Sequence, residues 1–147
     1  MRAMRYLLDT NVISEPTRPN PSQLLLDRLA QAFDESAMCA VSLHELRYGI
    51  ERLPSGKKRD EIEAYIMGII SIKLPTLPYD AEAARWHAIQ RAQLVARGRT
   101  PTSADGQIAA IAATNDLILV TRNTKDFEGY EGLTLQNWWE MDAAQHF

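Results

Sequence analysis

A single cysteine, Cys39, stands in the 147-residue chain, so no internal disulfide can form. Its neighbourhood, "SAMCAVS", is apolar, and packing is its expected role. Positive charge is not in excess: 16 Lys and Arg against 19 Asp and Glu leave a net charge of -3. That excludes a protein holding nucleic acid mainly by bulk positive charge, though not one with a local basic patch. No apolar run approaches the roughly 20 residues of a membrane span. The opening "MRAMRYLLDT" is broken by Asp9 before it can form a signal-peptide core. A soluble, cytoplasmic protein without membrane contact is expected. The three histidines, His44, His87 and His146, lack metal-ligand spacing, and "HEL" has no second histidine of a zinc-protease helix. All three are expected at the surface or in packing. A glycine-rich phosphate loop is also missing, because "PSGKK" is short and follows no strand.

What is present is an ordinary globular composition, 46% hydrophobic and 24% charged. The length suits one domain spanning 1–147, and no linker, repeat or low-complexity run divides it. "MRYLLD", "SAMCAV" and "LILVT" read as short buried strands, and "LTLQNWW" as a last short strand or docked tail. Between them, "SQLLLDRLAQAF", "SLHELRYGIERL", "RDEIEAYIMGIISIKL", "YDAEAARWHAIQRAQLVARG" and "TSADGQIAAIAATND" carry helical spacing. One such face joins Ile62, Tyr65, Ile66, Ile69 and Ile70, for core packing or for an interface with a partner. "PTRPNPSQ", "LPTLP" and "RNTKDFEGYEG" read as breakers or loops. In a strand, the adjacent Trp138 and Trp139 would face opposite ways. Strands separated by helices predict an α/β fold with a mainly parallel central sheet flanked by α-helices.

In such sheets ligands sit beyond the carboxyl ends of the strands. Asp9 ends the first strand, Glu45 follows the second, and Asn123 and Asp126 follow "LILV"; Asp105 opens the helix before it. Capping offers a plain alternative, with Ser42 and Glu45 as a capping box and Thr102 with Asp105 as a looser one. Capping does not explain why all of these acids fall at the ligand crevice. Clustered carboxylates repel one another unless neutralised, and a divalent cation such as Mg²⁺ or Mn²⁺ does so with oxygen ligands. It can also activate water against a phosphodiester. "DTN" lacks the second acid of haloacid-dehalogenase-like phosphatases, and no phospho-accepting aspartate of a receiver domain fits.

"LLDTNVISE", "SLHELRYGIERL" and "TSADGQIAAIAATNDLILVTRNTKDF", in that order and spacing, resemble PIN-domain proteins, and more narrowly the VapC toxins of toxin–antitoxin pairs. The resemblance runs from Arg5 to about Trp139. It implies a PIN-like fold and a metal-dependent endoribonuclease with Mg²⁺ or Mn²⁺ among the strand-end acids. Carried over residue by residue, it assigns Asp9, Glu45 and Asp105 as catalytic metal ligands. At the fourth position many members have an acid where this chain has Asn123. Asp126 is therefore assigned as the fourth carboxylate, directly or through water, and the number of metals stays open. Thr10, Asn11 and Thr121 would line the pocket, with Asn11 holding Asp9, touching the phosphate or simply capping. Arg97, Arg99 and Arg122 would meet RNA phosphates or remain solvated surface residues. The resemblance further implies a cognate VapB-like antitoxin that blocks the acidic pocket, a homodimer and larger toxin–antitoxin complexes. The rival reading is a catalytically silent PIN fold that only binds RNA or protein, favoured by the uncharged Asn123.

Overall fold

A computed structural model describes residues 3–141. His146 lies outside the described residues. The sheet has five strands: β1 (Tyr6–Leu8), β2 (Ser36–Cys39), β3 (Thr76–Leu77), β4 (Ile118–Val120) and β5 (Leu135–Gln136). Their order is β3-β2-β1-β4-β5 and every pairing is parallel. Leu7 is in register with Ala37 on one side and Leu119 on the other. The sequence expectation of a mainly parallel α/β sheet holds, and it holds for a physical reason. Parallel strands bury both faces, so they read as short continuous apolar runs.

Alternation along those runs divides the core in two. Leu7, Ala37, Cys39 and Leu119 face one way, against α6 (Ala81–Ala96) and α7 (Ser103–Thr114). Leu8, Met38 and Val120 face the other, against α1 (Thr10–Ser14), α2 (Gln23–Ala32) and α3 (Ala40–Glu51). The helix α4 (Lys57–Tyr65) runs on through a π-helical segment, Ile66–Ile70, into α5 (Ser71–Lys73) and closes that second face. Cys39 is fully buried, as its apolar neighbours imply. Among the described residues no helix is long and apolar enough to cross a membrane.

Three local expectations are corrected. "LPTLP" was expected only to break structure, yet Thr76–Leu77 forms the edge strand β3 between its prolines. An edge tolerates them, and the Pro75 carbonyl accepts from Met38 N at 2.9 Å. The apolar helical face loses Ile69, which is 45% exposed while Ile66 and Ile70 are buried. The π segment takes more residues per turn, so a spacing of three or four no longer returns to the same side. Trp138 and Trp139 lie beyond β5 rather than in it; Trp138 is buried edge-on against Tyr6, and Trp139 is half-buried under Arg122.

α6 and α7 meet closely at Gly106, where an added Cβ would overlap the His87 imidazole. His87 is in turn held by Tyr79, whose hydroxyl lies 2.8 Å from Nδ1. Gly106→Ala is therefore expected to destabilise the protein by about 1–3 kcal/mol through overpacking. Gly49→Ala, in α3 with nothing within 4 Å of the added carbon, should stabilise it by up to about 1 kcal/mol. Urea unfolding of both variants checks this, and a neutral Gly106→Ala would refute the close seat.

Candidate active site

The chain runs from β1 to β2 on one side and reaches β4 on the other, so a topological switch point lies between β1 and β4. Asp9 sits there, only 8% exposed. Its backbone N–H donates to the Val120 carbonyl at 2.9 Å, stitching the two strand ends together. Its side chain caps α1, with Oδ1 accepting from Thr10 N at 2.8 Å. Oδ2 accepts from the fully buried Thr121 Oγ1, also at 2.8 Å. An ionised carboxylate in this position would otherwise cost several kcal/mol, and each charge-assisted bond returns about 1.5–3 kcal/mol.

Glu45 comes in from α3. That helix begins at Ala40, with Cys39 as its N-cap, so Ser42 lies inside it, fully buried and 3.6 Å from the Cys39 sulfur. The capping-box alternative for Ser42 and Glu45 is thereby corrected. Glu45 Oε1 instead accepts from Thr10 Oγ1 at 2.9 Å, across 35 residues of chain. Thr10 thus holds two acids, one through its amide and one through its hydroxyl. Asp105 lies in the first turn of α7, where Thr102 is a true N-cap accepting from Asp105 N at 3.2 Å. Here the capping alternative is half right: the Thr102 side chain caps, while the Asp105 carboxylate faces other acids.

The electrostatics show which groups meet. Burial raises the Asp9 carboxyl above its ordinary value, against the bonds from Thr121 and Thr10, and the charges of Glu45 and Asp126 raise it further. Burial likewise raises Asp105, opposed by Thr102 and reinforced by Asp126 and Asp9. Asp126, on a 3-10 turn (Thr124–Phe127), is therefore the acid that both Asp9 and Asp105 feel. Asn123 joins the site through its backbone, its N–H donating to Thr121 Oγ1 at 3.1 Å. Asn11 lies in the first turn of α1, half-buried, with no side-chain hydrogen bond among the described residues. Arg97, Arg99 and Arg122 are exposed. Arg97 donates to the Gly129 carbonyl at 3.4 Å, and Arg122 lies 5.3 Å over the Trp139 ring. Among the described residues, none of the ion pairs involves Asp9, Glu45, Asp105 or Asp126. A fifth acid not singled out from sequence, Glu15, is buried, but its Oε2 accepts from Ser22 N and it faces Arg18, which explains it as a loop staple.

A conserved-domain match to the PIN domain covers residues 6–133. Over 137 residues, 91% of this chain and 97% of the relative, the chain is 36% identical to the VapC ribonuclease Y4jK of Sinorhizobium fredii. The chain belongs to the VapC branch of the PIN-domain family. Another relative of this PIN-domain protein is the tRNA(fMet)-specific endonuclease VapC of Shigella flexneri, 33% identical over 92% of this chain and 98% of its own. FitAcB from Neisseria gonorrhoeae superposes with a TM-score of 0.86 at 33% identity, over 92% of this chain and 99% of that one. VapBC-5 from Mycobacterium tuberculosis, a member of the VapBC family of toxin–antitoxin systems, gives 0.67 at 26% identity, over 92% and 99%.

Asp9, Glu45, Asp105 and Asp126 offer only carboxylate oxygens, the donor chemistry that a hard cation such as Mg²⁺ or Mn²⁺ would suit. Among the described residues no three Asp, Glu, His or Cys side chains are gathered closely enough to hold a metal ion as they stand.

The raised carboxyls carry a linkage consequence. A folded-state pKa above the unfolded one means the folded state binds protons more tightly, so this contribution favours folding as pH falls toward that pKa. As pH falls from 7 toward the ordinary carboxylate value of 3.8, the metal-free protein should therefore change in melting temperature more favourably than Asp105→Asn, which lacks the group. Parallel slopes for the two proteins would refute it.

Proposed function

We propose that this protein is a metal-dependent endoribonuclease, the toxin of a toxin–antitoxin pair, which hydrolyses RNA phosphodiester bonds at the acidic site. The observation that carries the reading is the buried Asp9 carboxylate, held at the switch point by Thr10 and Thr121 and feeling the charges of Glu45 and Asp126, with no cationic side chain paired to it among the described residues. Relatives named as ribonucleases and endonucleases along nearly the whole chain support it.

Asp9, Glu45, Asp105 and Asp126 would hold Mg²⁺ or Mn²⁺. When bound, the cation supplies charge neutralisation at the scissile phosphate and a lowered pKa for water. Thr10 and Thr121 keep Asp9 in one rotamer, so one acid is preorganised before substrate arrives. Glu45 has one oxygen committed to Thr10, and its Oε2 makes no hydrogen bond among the described residues. Oε2 would then be free to take a proton from the attacking water. The unengaged Asn11 amide donates to a phosphate oxygen, and the exposed Arg97, Arg99 and Arg122 draw the RNA backbone toward an otherwise negative surface.

A cognate antitoxin restrains this activity in the cytoplasm by covering the acidic pocket. The VapBC family to which the Mycobacterium tuberculosis neighbour belongs consists of toxin–antitoxin systems. An arginine from such a partner would pair with clustered carboxylates and compete with the cation. A homodimer within a larger complex completes the proposal. The silent-fold alternative rests on Asn123 alone, and Asp126 faces both Asp9 and Asp105 without it.

The test is cleavage of total cellular RNA by antitoxin-free protein, stripped of metal and then given Mg²⁺ or Mn²⁺. Asp9→Asn and Asp105→Asn should each abolish cutting, a loss of more than the roughly hundredfold that removing even an outer partner of a metal ligand costs, with unchanged circular dichroism. Undiminished cutting by both variants would overturn the assignment.

A further inference from the structure

Four residues after Asp126, the chain places a tyrosine that neither capping nor core packing fully explains. Tyr130 is only 5% exposed, and its ring stacks on Trp86 of α6 at 5.9 Å between centroids and 23° between planes. Packing accounts for the ring but not for the hydroxyl. Among the described residues the Tyr130 oxygen is buried with no hydrogen-bond partner, whereas buried phenols ordinarily find one. A phenylalanine would fill the same space without burying an unsatisfied O–H.

The position of the ring is well defined. The backbone around it is pinned to α6: Glu131 N donates to Gln90 Oε1 at 3.0 Å, and Arg97 reaches the Gly129 carbonyl. Gly129 lies so close to the Arg99 guanidinium that an added Cβ would overlap it. Trp86, on which the ring stacks, is followed by His87, and His87 abuts Gly106, the residue after Asp105. Tyr130 packs in one buried cluster with Ile108 and Ala109 of α7, three and four residues beyond Asp105. Burial first, and then the Asp105 charge, raise the phenol above its ordinary value, while Arg99 lowers it. Both charged groups thus act on this hydroxyl.

We infer that Tyr130 is a positioning residue for the third acid: its buried O–H, without a partner here, donates to the Asp105 carboxylate when Asp105 engages a divalent cation. This role rests on the nuclease reading of the acidic site. The unsatisfied hydroxyl costs stability while the site is empty of cation, and the new bond offsets that cost once the carboxylate is drawn into place. Tyr130 touches neither water nor RNA in this scheme and acts only through Asp105.

The inference separates two readouts that a purely structural tyrosine would move together. In metal-free, antitoxin-free protein, Tyr130→Phe should melt no lower than wild type, and about 2–4 °C higher if the full penalty is relieved. In the same pair, calorimetric titration with Mn²⁺ should show about tenfold weaker binding to the variant. RNA cleavage should fall in kcat, with KM for RNA unchanged. Equal Mn²⁺ affinity in the two proteins would overturn the inference, as would a lower melting temperature for metal-free Tyr130→Phe, because the hydroxyl would then already have a partner. Should neither protein cut RNA while their Mn²⁺ affinities still differ tenfold, the nuclease reading falls and the Tyr130 assignment stands.

Discussion

Much of this molecule follows from keeping one negative charge buried between β1 and β4. Asp9 can remain there because its two oxygens are met by Thr10 N and Thr121 Oγ1, and its own N–H by the Val120 carbonyl. Those partners come from the first residue of α1 and from the end of β4, so the bonds that satisfy the charge also start a helix and close the sheet. The arrangement demands a hydroxyl at position 121, where a valine of similar shape would leave a carboxylate oxygen unmet inside the protein. It also demands that α1 begin at Thr10, which brings the Thr10 hydroxyl to Glu45.

The same hydroxyls explain how a site drawn from distant segments keeps its shape. Thr121 Oγ1 donates to Asp9 and accepts from Asn123 N. That second bond fixes the start of the 3-10 turn, and the turn delivers Asp126 to face Asp9 and Asp105. Position 123 thus contributes through its backbone, which any residue but proline supplies. An uncharged side chain there costs the site none of this framework, and the fourth negative charge arrives three residues later.

The strands and the acids were legible in the sequence for one reason. A sheet buried on both faces writes uninterrupted apolar runs, so a charge at the end of one stands out, as Asp9 does after "YLL" and the 121–126 segment after "ILV". What could not be read depended on geometry that leaves no local pattern. The π segment at Ile66–Ile70 looks identical to an α-helix in its spacing, and only the outward turn of Ile69 reveals it. β3 is two residues long and flanked by prolines, so its existence depends on β2 lying beside it. The start of α3 was misplaced because "SLHE" imitates a capping box, whereas the helix begins two residues earlier at Ala40. Tyr130 escaped notice because an aromatic in a glycine-bearing loop reads as packing, and an orphaned hydroxyl exists only in three dimensions.

The distribution of arginine partners gives the acidic site its last physical distinction. α3 carries two glutamates, Glu45 and Glu51, less than two turns apart. Glu51 is met by Arg47 at 2.9 Å and Arg59 at 3.1 Å, and Arg47 also reaches Glu63 at 2.8 Å. Such exposed pairs contribute little stability singly. Their presence shows that guanidinium groups are within reach of this helix. Glu45 receives a threonine hydroxyl instead, and Asp9, Asp105 and Asp126 have no cationic partner among the described residues. A fold organised for stability alone would place an arginine where Asp9 feels Glu45 and Asp126, and Asp105 feels Asp126 and Asp9, because that repulsion is otherwise unrelieved. On the proposed reading, a cation from outside the chain would supply that compensation, and an arginine from a partner would satisfy the same deficit. Loading and inhibition would then be two answers to one electrostatic demand.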